Sequence, residues 1–168
     1  MYNKDVEIIV MNNAEKLINK LIELGLTITT AESCTGGMIS STLVDVPGAS
    51  SVINECHVTY SNDAKVKYLN VNEETLKMHG AVSEETAYEM AIGAANLAKA
   101  DIAVGVTGLA GPGGGTPSKP VGLVYVGYNI SGKVTVKKYN FDGDRLHIRK
   151  QTTNEVINQL LCMLNKLN

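Results

Sequence analysis

Apolar residues alternate with polar ones in two distinct rhythms along this chain. From Val6 to Leu24 they recur at helical spacing, with Val10, Ala14, Leu17, Ile18, Leu21 and Ile22 on one stripe, and Gly25 ends the run. "LTITTA" (26–31) then reads as a strand, and Gly36 to Val44 as a short helix closed by the turn "DVPGASS" (45–51). "CHVTYS" (56–61) is a second strand, followed by short helices over 62–69 and 72–80. Ser83 is a good N-cap, and Glu84 and Glu85 suit the positive end of an Ala-rich helix over 84–99. "DIAVGVTG" (101–108) has the continuous apolar character of a buried strand. Strands over 121–130 and 133–141 form a hairpin through Ser131-Gly132, and residues 144–167 make a closing helix. Helices before and after the strands predict a single α/β domain over residues 1–168. Its fold class is a three-layer α/β/α sandwich, and the terminal hairpin makes the sheet mixed.

Composition narrows the picture. The 168 residues include no Trp and one Phe, so the core is aliphatic. A hydrophobic content of 44% with 19% charged residues describes a globular chain. The net charge of −2, with both signs interspersed, gives no basic face for nucleic acid. No apolar run reaches the roughly 20 residues that cross a bilayer. The start, "MYNKDVEIIV", has no basic leader region, so neither a signal peptide nor a membrane partner is expected. Cys34, Cys56 and Cys162 lack metal or CxxC spacing and fit reduced thiols of a cytoplasmic protein. Cys56 and Cys162 read as small buried hydrophobes.

Three loops follow strands, where α/β domains place their sites. The first, "AESCTGG", puts Ser33 and Cys34 side by side ahead of a helix start. Two readings fit it. Thr35, Gly36 and Gly37 offer backbone N–H groups to an oxyanion or phosphate, or Ser33 and Thr35 simply cap the helix. The second, "TYSNDAK", sets Tyr60 at a strand end and Lys65 one turn into a helix. A Lys among apolar groups loses its proton and serves as a base; the alternative is an ordinary solvated Lys. The third, Thr107 to Gly122, carries Gly108, Gly111, Gly113, Gly114 and Gly115 with three prolines. It matches neither a Walker A loop nor GxGxxG, and reads as a backbone nest for an anion or as a flexible surface loop. Arg145 and Arg149 are one helical turn apart and form a candidate clamp for phosphate or carboxylate. "DGDR" (142–145) reads as a turn and a helix cap. His57, His79 and His147 show no ligand spacing, so no metal and no cofactor are expected.

Together these segments resemble one family, the carboxy-terminal domain of CinA proteins, the nicotinamide-mononucleotide amidohydrolases. The resemblance lies in "TAESCTGG" (30–37), "DVPGASS" (45–51), "VTYSNDAK" (58–65), "HGAVSEET" (79–86), "ADIAVGVTGLAGPGGGTPSKPVG" (100–122) and "GDRLHIRKQT" (143–152), in the family's order. It resembles the stand-alone form, without the larger amino-terminal domain. The resemblance implies metal-free, serine-type hydrolysis of the carboxamide of nicotinamide mononucleotide to nicotinate mononucleotide and ammonia. It implies Ser33 as nucleophile, Lys65 as its base and Tyr60 as the assisting hydroxyl. Thr107 and Gly108 match the ligand-facing loop. Thr35, Gly36, Ala110, Gly111, Arg145 and Arg149 complete the expected substrate contacts. A small-molecule substrate and a homodimer are the expected partners. Two alternatives remain: a non-catalytic nucleotide-binding domain linked to competence or DNA damage, and a cysteine hydrolase using Cys34, for which no His partner stands nearby.

Overall fold

The computed structural model describes residues 4–167, with side chains from residue 8 onward. Six helices and five strands follow in the order α1 (Lys4–Leu24), β1 (Ile28–Glu32), α2 (Met38–Val44), β2 (His57–Val58), α3 (Asn62–Leu69), α4 (Glu73–His79), α5 (Glu84–Ala98), β3 (Ile102–Gly108), β4 (Leu123–Ile130), β5 (Lys133–Asn140) and α6 (Arg145–Leu164). One mixed sheet has the order β2-β1-β3-β4-β5. Its first three strands are parallel, and β4 and β5 complete it antiparallel. Helices α1, α2 and α6 cover one face, and α3, α4 and α5 the other. The α/β/α sandwich with a mixed sheet is therefore the fold observed.

The alternation of strand residues builds both interfaces. Ile102, Val104 and Val106 of β3 join Val124, Val126 and Tyr128 of β4 in the large cluster under α1, α2 and α6. Ala103, on the opposite face of β3, packs with Leu69, Val71, Met90 and Ala94. Helix α5 sits unusually deep on that second face. Gly105 and Gly127 are directly paired across β3 and β4. A Cβ on Gly105 would meet the Ala91 nitrogen at 2.6 Å, and one on Gly127 the Ala87 carbonyl oxygen at 2.3 Å. Both positions therefore need glycine so that the helix backbone can touch the sheet.

The predicted stripe of α1 is buried at Ala14, Leu17, Ile18 and Leu21, but Ile22 is exposed. Ile22 instead lies at the stripe's edge, beside Gly48. Cys162 is exposed and Cys56 half-buried, which corrects the expectation that both are buried hydrophobes. The strand expected over 56–61 is shortened to His57–Val58. Thr59 still donates its N–H to the Glu32 carbonyl, but the Thr59 and Tyr60 carbonyls turn to a lysine. The hairpin forms as expected, with positive φ at Ser131 (51°) and Gly132 (87°), the signature of a type I′ turn. No described helix is long and apolar enough to cross a membrane.

Candidate active site

The parallel strands β1, β2 and β3 point their carboxyl ends at one place. Ser33 follows β1 directly, and its N–H donates to the Val106 carbonyl of β3, 3.0 Å away. Because strand residues alternate, Glu32 faces the α2 side and Ser33 the α3 side. Helix α3 starts at Ser61, whose side chain accepts from the Ala64 N–H. One turn in, it delivers Lys65 across the end of the sheet. Lys65 is 1% exposed, so the solvated-lysine alternative is excluded. Its Nζ lies 3.1 Å from Ser33 Oγ, 2.9 Å from the Thr59 carbonyl and 3.2 Å from the Tyr60 carbonyl.

That set of contacts serves Lys65 in both protonation states. As an ammonium, Lys65 donates to both carbonyls and to Ser33 Oγ; once deprotonated, it keeps the two carbonyl bonds and turns its lone pair to the Ser33 hydroxyl. Burial pulls the Lys65 pKa down from 10.5 to about 8; the neighbouring Cys34 acts weakly the other way. Cys34 behaves oppositely. It is buried in the large core cluster. Burial, against weaker help from nearby backbone N–H groups, pushes its thiol up to about 12. A thiol that keeps its proton is no nucleophile.

The pair opens into a cavity of about 230 Å³. Ser33, Tyr60, Lys65, Thr107, Gly108, Ala110, Gly111 and Arg145 all line it, which brings most of the sequence-predicted residues together, and Cys34 lines it beside Ser33. Thr107 Oγ1 donates to the Ala81 carbonyl at 2.6 Å, tying β3 to the segment before α5. No Asp or Glu lines the cavity. Among the described residues, no hydrogen bond takes up the backbone N–H groups of Ala110, Gly111 and Gly113. Larger grooves lie elsewhere, one of about 440 Å³ between α3 and α4, but it holds no nucleophile–base pair.

Other side chains of the expected site lie apart from the pair. Tyr60 does not place its hydroxyl on the Ser33–Lys65 pair. The ring is exposed, its hydroxyl accepts from Arg145 Nη2 at 2.9 Å, and only its main-chain carbonyl reaches Lys65. Arg145 also donates to the Gly111 carbonyl at 2.8 Å, so it bridges the second and third loops at the cavity mouth. Arg149 does not join Arg145 as a clamp. It lies outside the cavity lining and donates to the Cys34 and Thr35 carbonyls at 3.1 and 2.7 Å. Thr35 and Gly36 are likewise outside the lining. Thr35 is fully buried with its hydroxyl unpartnered, and Gly36 packs against Arg149.

Nor is the α2 N-terminus open to an anion. The Glu32 carboxylate, completely buried, already accepts from the N–H groups of Gly37, Ile39 and Ser40, and from the Ser40 and Thr30 hydroxyls. Neither Ser33 nor Thr35 caps that helix. In the sequence Glu32 reads as one more polar residue at a strand end. Its signal is a carboxylate five residues ahead of Gly37, the N-cap position of a helix that has no capping side chain of its own. Asp144, by contrast, caps α6 as expected, accepting from the His147 N–H at 2.9 Å. The described residues contain no group of three or more His, Cys, Asp or Glu able to hold a metal ion.

A three-layer α/β domain with a buried serine–lysine pair at the carboxyl ends of its parallel strands is thus the class in hand. Residues 11–164 match the CinA C-terminal domain model, and the chain belongs to that family. A relative from Clostridioides difficile with the competence-damage inducible name is 55% identical over 154 residues, 91% of this chain and 37% of its own. A CinA-like protein of Kosmotoga olearia is 56% identical over 137 residues, 82% of this chain and 33% of its own. The chain thus spans about a third of the length of these relatives. Among solved structures, a competence/damage inducible protein from Agrobacterium tumefaciens superposes with a TM-score of 0.89 at 43% identity, covering 93% of this chain and 95% of that one. A CinA superfamily protein from Klebsiella pneumoniae gives 0.90 at 34%, covering 94% and 98%.

Proposed function

We propose that this domain hydrolyses the carboxamide of nicotinamide mononucleotide to nicotinate mononucleotide and ammonia. The observation that carries the reading is the buried Ser33–Lys65 pair, 3.1 Å apart, with the Lys pKa lowered to about 8 by burial. A carboxamide resists direct attack by water, so a covalent intermediate divides the work. Ser33 Oγ attacks the carboxamide carbon as its proton passes to Lys65 Nζ. The tetrahedral adduct collapses, the C–N bond breaks, and Lys65 returns the proton to the departing nitrogen as ammonia. Water then attacks the Ser33 ester with Lys65 again as base, which frees nicotinate mononucleotide and restores the serine.

The cavity wall suits an anionic substrate. Arg145 is its one lining cation besides Lys65, no carboxylate opposes it, and three loop N–H groups are uncommitted. They are the available donors for the developing oxyanion and for a phosphate; one oxyanion donor is worth about 3–4 kcal/mol.

Coupled detection of ammonia from nicotinamide mononucleotide, with nicotinamide riboside, free nicotinamide and glutamine beside it, tests the reading. Release is expected from the mononucleotide, with a rate that rises with pH to a midpoint near 8 as Lys65 deprotonates. No release from any of the four refutes it. The relatives' competence-damage names favour a second reading, a nucleotide-binding domain without turnover. That reading predicts calorimetric binding of the mononucleotide and no ammonia.

A further inference from the structure

The turn that carries Ser33 is gripped from two sides. Its N–H groups collect on one buried carboxylate: Glu32 Oε2 takes Gly37 and Ile39 at 2.9 and 3.1 Å, and Oε1 takes Ser40 at 2.8 Å. Its carbonyls collect on one guanidinium: Arg149 donates from Nε to Cys34 and from Nη2 to Thr35. Between these grips the chain reverses through Gly36 (φ 60°) and Gly37 (φ 94°). A Cβ on Gly36 would stand 3.4 Å from Arg149 Nη2, so the guanidinium packs closely on the turn. No carboxylate pairs with Arg149 among the described residues, so its hydrogen-bonding partners here are main-chain carbonyls.

We propose that Arg149 and Glu32 are positioning residues for the nucleophile: they hold the turn from both ends of its peptide dipoles and so keep Ser33 Oγ on Lys65 Nζ. The inference rests on the serine reading of the site. A planar fork that donates from two edges to successive carbonyls is a task for Arg and not for Lys. A carboxylate with no exposure has to be saturated by donors, and here all but one of the five come from the turn and the first turn of α2. Ser33 itself has only one further main-chain anchor on the sheet, its N–H on Val106. Its side-chain direction therefore follows the turn. A misplacement of about 1 Å costs on the order of 10²-fold in rate.

The experiment uses R149Q, R149K and E32Q beside wild type, each checked for folding by thermal melting. The first readout needs no knowledge of the substrate. An aryl sulfonyl fluoride labels an activated serine, forming the O–S bond as fluoride leaves and the proton passes to Lys65. The labelling rate at Ser33 is followed by mass spectrometry, with S33A as the blank. R149Q and E32Q are expected to label about 10²-fold more slowly, with R149K between them and wild type. The pH midpoint stays near 8, since Lys65 is untouched. With nicotinamide mononucleotide, kcat falls in parallel and KM stays within about threefold of wild type, as for an interaction that acts on the transition state.

A folded R149Q or E32Q that labels at the wild-type rate overturns the proposal. So does a rise in KM for the mononucleotide alone, with nicotinamide riboside unaffected, because Arg149 would then hold the phosphate. If none of the three variants folds, the two residues are structural and the proposal falls. Wild type that labels at Ser33, loses labelling in R149Q and releases no ammonia sinks the amidase reading alone. Wild type that never labels at Ser33 sinks both.

Discussion

Replacing Lys65 by Met should change stability in a direction that reverses with pH. In the folded protein Lys65 titrates near 8, and in the unfolded chain near its ordinary 10.5. The folded pKa is lowered, so between these values the unfolded chain binds more protons and wild-type stability rises with pH. Below pH 8 the cation is present in both states, and the full cost of burying it applies. A displacement of about 2.5 pKa units corresponds to about 3 kcal/mol. At pH 7 the Lys65→Met variant escapes that cost. It leaves the Thr59 and Tyr60 carbonyls without their donor, at about 1 kcal/mol each. The net change at pH 7 is then a gain of about 1 kcal/mol. At pH 10 the wild-type amine is neutral in the fold and only about 1 kcal/mol of the burial cost remains, so the variant becomes the less stable protein by about 1–2 kcal/mol. Urea denaturation of both proteins at pH 7 and pH 10 reads the difference directly. Other titrating groups cancel between the two. A mutational effect that is the same at both pH values would refute a lowered Lys65 pKa, whatever its sign. Ammonia release should be lost in the variant at every pH.

The same geometry fixes other outcomes. Ser33→Ala should abolish ammonia release while Cys34→Ala keeps substantial turnover, because the buried thiol holds its proton and only Ser33 meets Lys65 Nζ; an active Ser33→Ala beside a dead, folded Cys34→Ala would reverse the assignment. Tyr60→Phe should slow turnover by less than about tenfold, since the hydroxyl sits on Arg145 and not on the pair; a loss of a hundredfold or more would restore the hydroxyl to the chemistry. Gly127→Ala should cost about 1–3 kcal/mol in urea unfolding, as its methyl would sit 2.3 Å from the Ala87 carbonyl oxygen; an unchanged midpoint would mean that α5 lifts off the sheet freely.

Local pattern carried much of the architecture. The period of α1, the buried run of β3 and the Ser131-Gly132 turn each state their element within a dozen residues, because neighbours in sequence decide helical stripes and tight turns. The strand at 56–61 was cut short by something local pattern does not contain, a lysine in α3 that draws the Thr59 and Tyr60 carbonyls. At the site, residue type and the family resemblance marked Ser33 and Lys65, and the fold brings them into contact. Partners of long side chains were not legible. Arg149 reaches a turn 115 residues earlier, and Tyr60 meets an arginine 85 residues later. Sequence spacing along α6 put Arg145 and Arg149 on one side, yet one lines the cavity and the other braces the turn behind it. For Glu32 the sequence offers only the uncapped helix start after it; its five donors converge only after β1 and α2 have packed.

The antiparallel half of the sheet has its own use. Since β4 returns against β3, its turn at Ser131-Gly132 stands at the end of the sheet remote from Ser33, beside Asp101, whose carbonyl takes the Ser131 N–H. No atom lies within 4 Å of where a Gly132 side chain would begin. The molecule therefore carries a natural splice point. An affinity peptide, a fluorophore-bearing loop or a surface anchor inserted there extends into open solvent and leaves the cavity facing the other way. Immobilised by that turn, the domain would present the mouth of its Ser33–Lys65 cavity outward on every copy, an orientation that random coupling through its scattered lysines would not give.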